Sequence, residues 1–170
     1  QDGTYYGFDR RASVNLWMAL SEANAETGCM RFLPGSHKGG IRDHLELGGD
    51  KNLLTRGQTV TGVSEEDAVD IVLRPGQCSI HHEDLIHGSH PNNGNDRRMG
   101  YAMVYLTPEV KPLVGRRAAL LVRGEDKYGY WDYDPEPRYD FDPVAMEAVK
   151  RGQAGYNDRD LKPPPATAAG

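Results

Sequence analysis

The sequence has few cysteines, no long apolar run and no concentration of basic charge. Its two cysteines, Cys29 and Cys78, are too few for a disulfide framework and fit a reducing, cytoplasmic compartment. No apolar stretch approaches the ~20 residues that a membrane-spanning helix needs. With a net charge of −5 and scattered lysines and arginines, a nucleic-acid partner is not expected. The sequence thus argues against disulfide-rich, membrane-spanning and nucleic-acid-binding proteins.

Glycine and proline are abundant, at 20 and 11 residues, which is typical of a chain with many turns. Short segments with a strand-like pattern are Ser13–Leu20, Cys29–Leu33, Ala68–Leu73, Gln77–His82 and Met99–Leu106. Because no helices alternate with these segments, an antiparallel β sandwich or barrel is predicted. One helix is predicted at Pro143–Arg151, with Gly152 directly after it.

Three further regions bear on the domain organisation. Residues 41–66 are polar and have no clear period, so we interpret them as a long loop that serves as a lid. Residues 1–161 are expected to form one domain, and the proline- and alanine-rich residues 162–170 to be disordered. Because the chain starts without methionine and directly inside a motif, we expect an upstream part of the protein to be missing.

Two segments carry most of the reactive side chains: Gln1–Gly7, which contains Asp2, and Leu85–Asn92, which Arg97 and Arg98 follow. Further matching segments are Trp17–Leu20, Thr27–Met30 and Pro34–Lys38. In this order, they resemble the phytanoyl-CoA hydroxylase-like family of Fe(II)- and 2-oxoglutarate-dependent oxygenases. The resemblance extends from Gln1 to about Leu106, which is most of the part that we expect to be ordered.

The resemblance implies a mainly β fold with a double-stranded β-helix, or jelly-roll, core, and it implies Fe(II), 2-oxoglutarate and O2 as reactants. Asp2 corresponds to the aspartate of the family's His-x-Asp pair, and His87 corresponds to the distal histidine. The third ligand would be a histidine immediately before Gln1, outside the chain, so the chain alone is expected to be inactive. Two imidazoles and one carboxylate leave three iron positions for the 2-oxo acid and O2.

The distal carboxylate of 2-oxoglutarate needs a cation, and the planar fork of arginine suits it better than lysine does. Arg98 matches the family's arginine, and the small Gly100 on the same strand face would leave room for a ligand. Arg97 should point to the opposite face. The resemblance also makes Ser89 a hydroxyl donor to the carboxylate, and Trp17 a wall of the cosubstrate pocket.

Other side chains are weaker candidates. Tyr5 and Tyr6 follow the ligand pair, so we expect one of them to face the substrate and the other to lie in the core. His81 and His82 point to opposite faces of a strand, so at most one faces the pocket. The spacing of His82 and Glu83 matches no standard metal site, and we assign neither histidine to the metal.

The predicted reaction is hydroxylation of an unactivated C–H bond in a small-molecule substrate. One alternative is a related halogenase, in which a small residue replaces the aspartate so that chloride can bind the metal; Asp2 argues against it. Another is a jelly-roll binding module without catalysis, which would not need Asp2, His87 and Arg98 together. The substrate and the oligomeric state do not follow from the sequence.

Overall fold

The computed structural model describes residues 1–46, 57–113 and 117–157. It divides into two compact units, Gln1–Thr4 with Ser13–Tyr105, and Tyr5–Ala12 with Leu106–Gly170. The strands are β1 (Val14–Ala19), β2 (Met30–Phe32), β3 (His44–Glu46), β4 (Gln58–Val60), β5 (Val69–Ile71), β6 (Cys78–His82), β7 (His87–Ser89), β8 (Gly100–Tyr105), β9 (Arg117–Ala119) and β10 (Trp131–Tyr133). The α-helices are α1 (Gly3–Tyr6) and α2 (Pro143–Asn157), and short 3-10 helices span Ser36–Gly39 and Glu65–Asp67.

Antiparallel sheets build the first unit. One sheet has the strand order β6-β1-β8 and another β5-β2-β7, while β3 and β4 form a separate pair. Each of the five predicted strands is present, and its ends lie within two residues of the predicted ones. Sequence analysis missed β3, β4 and β7, because three residues are too few to show alternation.

The sheet β6-β1-β8 has two chemically different faces. Its inner face carries Asn15, Trp17, Ala19, Ser79, His81, Gly100, Ala102 and Val104. Its outer face carries Val14, Leu16, Met18, Cys78, Ile80, His82, Tyr101, Met103 and Tyr105. Where β1 pairs with β6, Asn15 is opposite His81, so two buried polar side chains meet on the inner face.

The second unit has an aromatic core formed by Tyr6, Phe8, Val110 and Trp131. The Trp131 indole donates a hydrogen bond from Nε1 to the Val110 carbonyl oxygen at 2.9 Å, which satisfies its polar atom inside the core. Here β9 and β10 pair in parallel, unlike the antiparallel sheets of the first unit. Neither strand was predicted, since each again has only three residues.

The predicted helix is present as α2, but it does not end at Gly152 and continues to Asn157. Asp142 caps its start, because its Oδ1 accepts a hydrogen bond from the Val144 backbone N at 3.0 Å. A Cβ atom at Gly152 would lie 3.3 Å from the Ala118 side chain. The glycine therefore permits a close approach between helix and strand rather than ending the helix.

The region interpreted as a lid, residues 41–66, contains the β3–β4 pair, and its residues 47–56 lie outside the described ones. The region therefore includes regular structure that its polar composition did not predict. The predicted tail, residues 162–170, also lies outside the described part. Among the described residues, no helix has the length and apolar character needed to cross a membrane.

Candidate metal centre and cosubstrate site

The structure brings Asp2 and His87 together from opposite ends of the first unit. The Nε2 atom of His87 lies 3.6 Å from Oδ1 of Asp2. His87 opens β7, and its Nδ1 atom lies 2.9 Å from the Leu85 carbonyl oxygen. A carbonyl oxygen can only accept, so Nδ1 carries the proton and Nε2 presents a lone pair towards Asp2. This is the tautomer that binds a metal through Nε2.

Asn15 of the inner face orients the Asp2 carboxylate. Its Nδ2 atom donates a short hydrogen bond to Oδ2 of Asp2. The other carboxylate oxygen, Oδ1, is the one that lies near His87. The two oxygens thus have different partners, and Oδ1 is placed to act as a single metal ligand. Alternation along β1 placed Asn15 on this face, but no sequence pattern indicated that it would contact Asp2.

The residue before Asp2 anchors the segment. The Gln1 side chain donates hydrogen bonds from Nε2 to the carbonyl oxygens of Gly40 and Asp84, both at 2.7 Å. Its Oε1 atom accepts a hydrogen bond from the Arg42 backbone N at 2.9 Å. The short helix α1 begins directly after Asp2. The carboxylate is positioned by these anchors and not by a strand.

A third potential ligand, His81, lies beside the pair. One ligand atom from each of Asp2, His81 and His87 falls within 4.8 Å of the other two. His81 is 8% exposed, and its Nδ1 atom has no hydrogen-bond partner. Burial, and then the neighbouring His87, lower the pKa of His81 to about 4, so the imidazole is neutral at neutral pH. A neutral imidazole is the form that binds metals.

Arg98 and Trp17 form a second group on the inner face. The guanidinium carbon of Arg98 lies 5.5 Å from the centre of the Trp17 ring, within the range of a cation–π contact. Arg98 precedes β8 rather than lying in it. A Cβ atom at Gly100 would overlap the Trp17 ring, so the space expected there for a ligand is occupied by the indole. Trp17 follows Asn15 by two residues, which puts both groups on one face, about 7 Å apart along β1.

The remaining candidates lie in different surroundings. Ser89 ends β7 opposite Met30 and is exposed. Tyr6 is 8% exposed within the aromatic core of the second unit, and Tyr5 packs against that core with its ring centre 5.2 Å from that of Tyr6. Contact of either tyrosine with a substrate stays a prediction, as does the role of Ser89.

Comparison with known proteins agrees with this geometry. The family model described as Phytanoyl-CoA dioxygenase (PhyH) matches residues 1–100. A phytanoyl-CoA dioxygenase from Arabidopsis thaliana is 32% identical over 103 residues, which are 61% of this chain and 36% of that protein. This chain therefore spans well under half of that relative.

The solved structures of similar fold include a non-heme monooxygenase and a protein bound to 2-oxoglutarate. The non-heme monooxygenase ThoJ, in its apo form, is 36% identical with a TM-score of 0.78, covering 92% of this chain and 58% of that one. The structure of the ThoJ–nickel complex gives 33% identity and a TM-score of 0.70, covering 91% and 54%. EvdO2 from Micromonospora carbonacea var. aurantiaca, solved with 2-oxoglutarate, is 29% identical with a TM-score of 0.54. The match covers 66% of this chain and 48% of that one. The predicted jelly-roll fold is thereby confirmed.

Proposed function

This chain belongs to the phytanoyl-CoA dioxygenase family, and on that premise we propose that it is the catalytic part of an Fe(II)- and 2-oxoglutarate-dependent oxygenase that hydroxylates an unactivated C–H bond of a small molecule. The observation that carries the proposal is the convergence of Asp2 and His87, with Oδ1 and Nε2 3.6 Å apart. A carboxylate and an imidazole with its free lone pair facing it are donors of the type found in non-haem iron oxygenases.

The donor set fits iron(II). The Asp2 carboxylate supplies negative charge, and His87 supplies a neutral nitrogen whose tautomer is set by the Leu85 carbonyl group. Iron bound there would combine O2 with 2-oxoglutarate, which is oxidised to succinate and CO2 as the substrate is hydroxylated. The task of the protein is to hold these reactants in place and to exclude water from the site.

Arg98 is the proposed anchor for the distal carboxylate of 2-oxoglutarate. Its guanidinium carbon lies 5.5 Å from the centre of the Trp17 ring, and this contact restricts the arginine side chain, so less freedom is lost when the cosubstrate binds. The Trp17 ring in turn lies in the space that Gly100 leaves open. Ser89 is proposed as a hydroxyl donor to the same carboxylate. Trp17 thus supports the arginine in addition to forming a wall of the pocket.

Among family activities, hydroxylation is favoured over halogenation by Asp2. A halogenase needs an open metal position where the carboxylate would be, whereas here Asn15 holds the Asp2 side chain so that Oδ1 faces His87. A binding module without catalysis would have no use for a carboxylate oxygen and an imidazole lone pair in this arrangement.

The direct test is to add 2-oxoglutarate to the anaerobic Fe(II)-loaded protein and to record visible absorption. Chelation of the 2-oxo acid should produce a metal-to-ligand charge-transfer band, and succinate, which lacks the keto group, should produce none. Admission of O2 with candidate substrates should then yield succinate in proportion to hydroxylated product. If no band forms, and 2-oxoglutarate is not consumed, the protein is a binding module and the proposal is wrong.

A further inference from the structure

Arg31 lies on β2, the central strand of the β5-β2-β7 sheet, and all five N–H donors of its guanidinium group have acceptors. The acceptors are Oδ1 of Asp70 at 2.9 Å, Oε2 of Glu65 at 3.3 Å, Nε2 of His90 at 2.7 Å, and the backbone carbonyl oxygens of Glu65 and Ala68 at 3.0 and 3.4 Å. One side chain therefore connects β2 with the segments that flank it on both sides.

The contact between Arg31 and His90 fixes the state of the imidazole. Arginine can only donate, so Nε2 of His90 accepts with its lone pair, and the ring is neutral with its proton on Nδ1. The backbone of His90 is held as well, because Gly28, with a φ angle of +72°, approaches it so closely that a Cβ atom there would lie 2.5 Å from the His90 carbonyl oxygen. His90 is thus fixed through both its side chain and its backbone.

His90 directly follows Ser89, the proposed hydroxyl donor to the cosubstrate. On β7, Ser89 shares a face with His87, whereas Gly88 is paired with Arg31 and lies on the opposite face. Holding His90 on the Arg31 side therefore determines the direction of the Ser89 hydroxyl group on the other side. We propose, building on the function proposed above, that Arg31 is a positioning residue, which acts through His90 to hold Ser89 towards the distal carboxylate of 2-oxoglutarate.

General support of the sheet explains these contacts less well. Ion pairs with exposed carboxylates contribute little to stability, and the Glu65 and Asp70 side chains are 77% and 40% exposed. The pairing of β2 with β7 ends at Ser89, whereas the 2.7 Å contact holds the next residue, His90. The Arg31 side chain thus acts where the strand pairing stops, beside the residue that carries the hydroxyl group.

The test compares 2-oxoglutarate with pyruvate, a 2-oxo acid that can chelate iron but has no distal carboxylate. Both are titrated into the anaerobic Fe(II)-loaded full-length protein, and the charge-transfer band reports the affinity. A hydrogen bond to a charged group is worth about tenfold or more in affinity, so Arg31→Leu should weaken 2-oxoglutarate binding about tenfold and leave pyruvate binding unchanged. The control Arg74→Leu removes an exposed arginine between β5 and β6 and should leave both affinities unchanged.

Variants of His90 and Ser89 test the route by which Arg31 acts. His90→Gln keeps an acceptor for Arg31 and should retain the wild-type affinity for 2-oxoglutarate, whereas His90→Leu should reproduce the loss in Arg31→Leu. Arg31→Leu combined with Ser89→Ala should bind 2-oxoglutarate no more weakly than Ser89→Ala alone, because both changes remove the same hydrogen bond. Additive losses, or equal losses for 2-oxoglutarate and pyruvate, would show that Arg31 supports the sheet in general and would overturn the inference.

The same titrations separate this inference from the proposed function. If the wild type gives the charge-transfer band with 2-oxoglutarate, and Arg31→Leu binds the cosubstrate as tightly as Arg74→Leu does, only the positioning role of Arg31 is wrong. If the wild type itself gives no band, the proposed function is wrong, and the inference falls with it.

Discussion

The two faces of the β6-β1-β8 sheet differ in a way that reverses the usual relation between burial and polarity. On the inner face, the polar residues Asn15 and His81 are 6% and 8% exposed. On the outer face, the apolar residues Val14, Ile80 and Tyr101 are 40%, 66% and 56% exposed. At the β1–β6 pair, the polar side chains of Asn15 and His81 are thus buried, whereas the apolar side chains of Val14 and Ile80 are exposed.

This contrast between the two faces distinguishes residues of the candidate site from residues that stabilise the fold. Burying an amide or an imidazole is unfavourable unless a hydrogen bond or a metal compensates, so hydrophobic burial does not explain the inner face. The bond from Asn15 to Asp2 and the proximity of His81 and His87 explain it as part of a site. The aromatic cluster around Trp131, in the second unit, has the composition of an ordinary hydrophobic core.

The largest effect should come from removing the carboxylate that the inner face orients. In the full-length protein, we expect Asp2→Ala to abolish hydroxylation and 2-oxoglutarate turnover, because the iron loses its charged ligand. Asp2→Glu should fail nearly as completely, since the longer side chain displaces the oxygen from its place near His87. Succinate formation measures both. Substantial activity in Asp2→Ala would show that Asp2 is not a ligand, and Asp140→Ala, at an exposed position, is the control.

The next effect concerns cosubstrate binding. Removing one partner of a charge-assisted contact costs about 2–5 kcal/mol. Arg98→Ala should therefore weaken 2-oxoglutarate binding by roughly 30-fold to several thousand-fold, at about 1.4 kcal/mol per tenfold. Arg98→Lys should be intermediate, because it keeps the charge but loses the fork. The charge-transfer band of the anaerobic Fe(II) protein reports the affinity.

Arg97→Ala is the matched control for this measurement, because Arg97 is the adjacent arginine and is exposed. It should leave the affinity for 2-oxoglutarate unchanged. If Arg97→Ala weakens binding and Arg98→Ala does not, the wrong arginine has been assigned. Iron binding should persist in both variants, since neither alters a proposed ligand.

A smaller effect should follow from altering the residue that orients Asp2. Asn15→Leu has a similar size but cannot donate to Oδ2 of Asp2, and loss of such an outer contact typically costs about 10- to 100-fold in metal affinity. The control Val14→Asn introduces an amide on the outer face of the same strand and should leave the affinity for Co(II), an oxygen-stable substitute for Fe(II), unchanged. Equal Co(II) affinities in Asn15→Leu and Val14→Asn would show that the inner face is no more important for metal binding than the outer face.

The smallest effect is expected on the outer face. Ile80→Ser should change the free energy of unfolding by no more than about 0.5 kcal/mol, because Ile80 is already 66% exposed. The same substitution at Ile86, which is 7% exposed, should cost at least about 2–5 kcal/mol. Urea denaturation measures both. A cost at Ile80 similar to that at Ile86 would show that the outer face is covered in solution.

Local patterns were enough to predict much of the fold. The alternation in β1 placed Asn15 and Trp17 on one face, and the structure agrees. The three-residue strands β3, β4, β7, β9 and β10 escaped prediction because they are too short to show a period. The stop at Gly152 was wrong because the glycine serves a close contact with Ala118, and that contact lies far away in the sequence.

The sequence by itself determined the family, the strand-rich fold and the chemical types of the candidate residues, because these follow from motif order and local alternation. Tertiary structure alone decided that Asn15 holds Asp2, that Trp17 fills the space beside Gly100, and that His81 lies with Asp2 and His87. The physical reason is the register of β1 with β6 and with β8, which brings together residues distant in the chain. Strand pairing of this kind depends on the packing of the whole unit, so neighbouring residues do not encode it.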